Sequence, residues 1–99
     1  MMTIEKTKTI ELETPIESND GKTRYESLTL KEPVLIQVEQ FYERQSQSSS
    51  SLPAMRLLIS LVSLVPETEI KKMAISDFVK CKDYLSSFLA LNHSGNGSI

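Results

Sequence analysis

Few residues in this chain have side chains able to do chemistry. His93, the one histidine, offers a general base or a metal ligand. Cys81, the one cysteine, offers a nucleophile. Glu67 with Glu69, or Asp77 with Asp83, offers a carboxylate pair for acid–base work. A general base must be held at a fixed place beside its substrate. His93 stands in the polar run Asn92-His93-Ser94-Gly95-Asn96-Gly97, which has nothing apolar to hold it, and reads as a solvated tail residue. Cys81 falls with Phe78 and Leu85 on an apolar helical stripe, a setting that raises a thiol pKa and makes the group inert. The four acids read as helix-capping and surface groups. No His/Cys grouping has metal-ligand spacing. No glycine loop can cradle a phosphate, because Gly21 belongs to a turn and Gly95 and Gly97 to the tail. The reading is therefore no enzyme, no metal and no cofactor, and function has to be sought in binding.

Composition narrows the partners. Of 99 residues, 39% are hydrophobic and 24% charged, ordinary globular proportions for one domain. A core this small leaves a domain marginal alone, so a partner or a second copy of the chain would help it. The first 33 residues hold five basic and seven acidic side chains, the remainder six of each, and no basic stripe stands out. Nucleic-acid binding draws most of its affinity from phosphate contacts, so the balance argues against it. The longest uncharged apolar run, Leu57 to Pro66, is about half the ~20 residues of a membrane span. A lone cysteine suits a reducing compartment. With no signal-like start, the expectation is a soluble intracellular protein.

The elements that would position a binding surface follow from periodicity. Residues 8–14 alternate, with Ile10 and Leu12 on one face, as a half-buried strand does. Asp20-Gly21 is a turn signal, and residues 22–30 form the return strand. Tyr25 and Leu28 have opposite parity there, which predicts a bulge or a two-sided strand. Leu28-Thr29-Leu30-Lys31-Glu32-Pro33 then hands the chain from strand to helix, with Pro33 suited to the junction. A first helix is expected over 34–45, with Val34, Leu35, Val38, Phe41, Tyr42 and Gln45 on one side and Ile36 out of pattern. The polar run 45–51 reads as a loop, with Ser51 capping the next helix.

That second helix, about 52–65, is apolar on most of its circumference. Leu52, Met55, Leu58, Ile59, Val62 and Val65 make a core stripe. Leu57, Leu61 and Leu64 make a second stripe, the candidate docking surface for a partner helix. Pro66-Glu67-Thr68-Glu69 opens a short turn, and a last helix over 76–91 begins at Ser76, with residues 92–99 as a disordered tail. The fold class is α+β: a hairpin over 8–30 packed on a bundle of about three helices, one domain over 1–91.

This order of parts resembles the small tail assembly chaperones of long-tailed bacteriophages, the group that includes the Mu-type proteins. The resemblance rests on Ile10 and Leu12, Gly21, Leu28-Thr29-Leu30, Lys31 and Glu32-Pro33. It continues through the apolar helix near Met55 to Leu64, Val65-Pro66, Ile70, Asp77 and Phe88-Leu89. It covers about residues 8–90 and departs at Val34-Leu35-Ile36 and at the Ser48–Ser51 run. It implies a non-enzymatic role in the host bacterial cytoplasm, where such proteins bind the long, helical tape-measure protein and keep it soluble while the tail tube assembles. It also implies a longer frameshifted product able to reach the tail-tube protein. Ser87-Phe88-Leu89 permits the slippery codons such a shift uses. Two other classes stay open: a small structural or adaptor protein retained in the particle, and a DNA-binding regulator.

Overall fold

The computed structural model describes residues 5–93, with side chains through Leu89. Two antiparallel strands, β1 (Thr7–Glu17) and β2 (Arg24–Lys31), form the hairpin. Gly21 sits at φ 73° in its loop, where a glycine meets no steric cost. Asp20 closes the same loop by accepting from the Ser18 hydroxyl at 2.6 Å and the Lys22 amide at 2.9 Å. These bonds, the Ser18 hydroxyl first, hold its carboxyl below the usual range.

The parity change in β2 has its counterpart in β1. Glu11 pairs with Ser27 but Ile16 pairs with Tyr25, so residues 12–15 of β1 stand opposite Glu26 alone. This wide bulge keeps Ile10, Leu12 and Ile16 on the buried face despite the register shift. It also admits Pro15, which has no N–H for the ladder to lose, so the strand continues through the proline to Glu17.

Four helices follow: α1 (Leu35–Gln45), α2 (Leu52–Ser63), the single turn α3 (Glu67–Ile70) and α4 (Ile75–His93). α2 is central and touches β2, α1, α3 and α4, while α4 lies along β1. Ala54, Met55, Leu58, Ile59 and Val62 of α2 meet Leu28 and Leu30 of β2 and Phe78, Cys81 and Leu85 of α4 in one core. At the far end Tyr84, 8% exposed, hydrogen-bonds the Glu5 carbonyl and meets Phe88 edge-on at 5.3 Å.

Several details depart from the sequence expectations. α1 packs on α2 but makes little contact with the sheet, so only a narrow seam of it is covered. Phe41 is buried and Val38 and Tyr42 are half-buried, whereas Val34 and Leu35 lie exposed beyond the seam. Val34 heads α1 without a capping oxygen, and the Gln37 side chain accepts its N–H instead, at 3.0 Å. The serine run serves the helix–helix loop. Ser48 Oγ accepts from the Ser50 amide and Ser50 Oγ accepts from the Leu52 amide, so Ser50 rather than Ser51 lends its hydroxyl to the start of α2. The last helix begins one turn-bond earlier than expected, with the Ala74 carbonyl accepting from Phe78. It continues through Asn92 and His93, two residues assigned above to the tail. The rest of that tail, and the side chains of Leu91 and His93, lie outside the described residues.

Candidate partner-docking surface

The chemistry-bearing side chains are placed away from chemistry. Cys81 is fully buried, and burial, with Asp77 nearby, pushes its thiol up to about 12. Among the described residues no group of His, Cys, Asp and Glu is arranged to hold a metal, and no helix is long and apolar enough to cross a membrane.

Asp83 is exposed, as spacing suggests, but the other three acids are not simple solvated surface groups. Asp77 is fully buried. Its two oxygens accept from the Glu13 amide at 2.9 Å and the Thr14 amide at 3.1 Å, two donors that the β1 bulge removes from the strand ladder. Burial alone would raise this carboxyl, but the two amides and the neighbouring Lys80 ammonium outweigh it and hold it below the usual range. Glu69 is also buried and pairs with Lys72 at 3.2 Å. Glu67 joins three helices: it takes Arg44 of α1 at 3.1 Å and Arg56 of α2 at 3.0 Å. Desolvation opposes its ionisation, and the two guanidiniums overcome it and lower its pKa. Sequence reasoning missed the roles of Asp77 and Glu67 because their partners are backbone amides and distant arginines, which leave no local pattern.

The three leucines of the second α2 stripe are set apart from one another in environment. Leu57 and Leu61 are half-buried and form one wall of a groove of about 450 Å³. Gln40, Glu43, Arg44 and Gln47 of α1 form the other wall. Arg44 is engaged by Glu67, whereas Glu43 is exposed and unpaired among the described residues. Ile36, 56% exposed, lies outside the core, in keeping with its place outside the helical pattern.

Leu64 ends α2 in a left-handed conformation, φ 65° and ψ 22°, with its N–H on the Ser60 carbonyl at 2.9 Å. It is 81% exposed. A branched side chain at positive φ is unusual, and here it turns the leucine off the end of the helix into solvent. The structure thus brings Leu57 and Leu61 together in the groove, whereas Leu64 is not among its lining residues.

A family model described as phage tail assembly chaperone proteins, "E, or 41 or 14", matches residues 9–90 of the chain. Neither a curated protein nor a solved structure matches it.

Proposed function

The chain belongs to the phage tail assembly chaperone family, and from that premise we propose that it binds the tape-measure protein and keeps it soluble while the tail tube assembles. The observation that carries this reading is the groove between α1 and α2. Its α2 wall carries the half-buried Leu57 and Leu61 and its α1 wall the polar Gln40, Glu43, Arg44 and Gln47, an amphipathic trough that suits a helix with one apolar ridge. Leu57, Leu61 and Leu64 are the contact residues in this reading. Binding rather than catalysis is the work done, in the host bacterial cytoplasm, and a frameshifted longer form would link the same domain to the tail-tube protein.

The test is co-expression with the long helical reading frame beside the gene, followed by a solubility assay and pull-down. Partner solubility and co-purification are expected with the wild-type chain. Both are expected to fail with Leu61→Asp, which puts a charge into the groove while leaving the core residues Leu58 and Val62 in place. A folded Leu61→Asp variant that still binds would remove the leucine groove as the docking surface. Mass spectrometry of purified particles addresses the role itself: a chaperone is absent from them, and a retained adaptor is present.

A further inference from the structure

On the other side of α2 lies a cleft that the tape-measure reading does not use. Leu52, Ile70, Met73, Ile75 and Phe78 line it with apolar surface. Leu52 and Ile75 are 53% and 68% exposed and form its lips. Its volume of about 180 Å³ is comparable to the ~150 Å³ engineered cavity that holds benzene, so one leucine or phenylalanine side chain fits.

The rim is basic although the chain as a whole has a formal charge of −2. Arg56 and Lys71 both line the cleft. Arg56 engages Glu67 through Nε alone, which leaves Nη1 and Nη2 without a partner among the described residues. Arg56 and Arg44 share that one carboxylate, so the cluster retains a positive charge. Lys71 is exposed, has no partner among the described residues and adds another. The groove on the α1 side is mixed instead, lined by Glu43 as well as Arg44.

We propose that this cleft is a second docking site, specific for an acidic amphipathic protein segment that inserts one large apolar side chain between Leu52 and Ile75 and sets carboxylates against Arg56 and Lys71. Charge complementarity selects the occupant. A basic or neutral amphipathic segment would leave the two cations desolvated and unmatched. The two clefts differ in rim charge and so favour different partner segments. The inference goes beyond the tape-measure reading and stands or falls separately.

The probe is a fluorescein-labelled synthetic helix with leucine and phenylalanine on one face and glutamate on the other, titrated by anisotropy into the full chain. A twin peptide with lysine in place of each glutamate is the control, and ¹⁵N NMR locates the contact. The glutamate peptide is expected to bind with shifts centred on Leu52, Lys71 and Ile75, and to weaken as salt is raised. Lys71→Glu, a change at an exposed position, is expected to weaken it roughly tenfold by turning an attraction into a repulsion. Ile75→Ser removes an exposed lip and should weaken it without changing the circular dichroism spectrum. No binding, equal binding of the lysine peptide, or shifts centred on Leu57 and Leu61 would each overturn the proposal. A chain that solubilises the tape-measure protein yet ignores the glutamate peptide loses this inference alone.

Discussion

Replacing Asp77 tests the tie between the hairpin and the helices. In the wild-type chain its buried carboxylate accepts two backbone N–H groups of the β1 bulge. A hydrogen bond to a charged group contributes ~1.5–3 kcal/mol, so the two bonds together are worth ~3–6 kcal/mol. Asp77→Ala also removes the cost of burying the charge, which offsets part of that loss, and leaves both amides without an acceptor. The expected net destabilisation is ~3–5 kcal/mol, a large share of the ~5–15 kcal/mol that holds a small domain together. Asp77→Asn retains one acceptor oxygen but turns an NH₂ toward an amide donor, and should fall between the two.

The sign with pH follows from the depressed carboxyl. Ionised Asp77 stabilises the fold fully above its unfolded value, near 3.8, and the contribution disappears as pH falls through the lower folded value. Urea unfolding at pH 7 and at pH 3 measures this directly. The gap between wild type and Asp77→Asn should be widest at neutral pH and narrow in acid. Hydrogen exchange at the Glu13 and Thr14 amides should speed up in both variants. A loss under ~1 kcal/mol at pH 7, with those two amides still protected, would refute the clamp.

Three further outcomes follow from the same geometry. Leu64→Gly should raise stability by about 1 kcal/mol, or roughly 4–8 °C in Tm, because glycine adopts the left-handed helix end without the cost a leucine carries; calorimetry checks it, and no gain would mean that Leu64 is not strained. Leu58→Ala should cost ~2–5 kcal/mol as a truncation at a fully buried position, read by chemical denaturation. Cys81, with its thiol pushed up to about 12, should stay unreactive to a disulfide reagent at pH 8 and titrate fully only in denaturant.

Much of this architecture is legible in the sequence because its elements advertise their period. Ile10 and Leu12 alternate, Asp20-Gly21 turns, and Leu58, Ile59 and Val62 recur at helical spacing, so the hairpin and the central helix follow from residue types alone. The parity clash between Tyr25 and Leu28 announces a bulge, but nothing local says that the extra residues lie in β1. What the sequence hides depends on distant partners. Asp77 has the look of an ordinary first-turn acid, and only the fold brings it to Glu13 and Thr14. Val34 and Leu35 appear to continue a core stripe, but the covering surface stops at the seam with α2. Of the candidate site, the spacing of Leu57, Leu61 and Leu64 is plain, while the left-handed turn that throws Leu64 outward is a property of the helix end and leaves no periodic trace.

The bulge clamp also bears on how the chain reaches its native state. Glu13 and Asp77 are separated by 64 positions, and α4 as a whole lies along β1. The first strand therefore finds its polar complement only when the last helix arrives. The α1–α2 pair, by contrast, is built from near neighbours in the chain and has little loop entropy to overcome. Contacts between remote segments slow folding, so closure of α4 onto the hairpin is expected to be the late step. During synthesis, the strand, the bulge and the two middle helices would emerge first and wait, with the apolar face of β1 uncovered, until residues 75–89 are available to seal it.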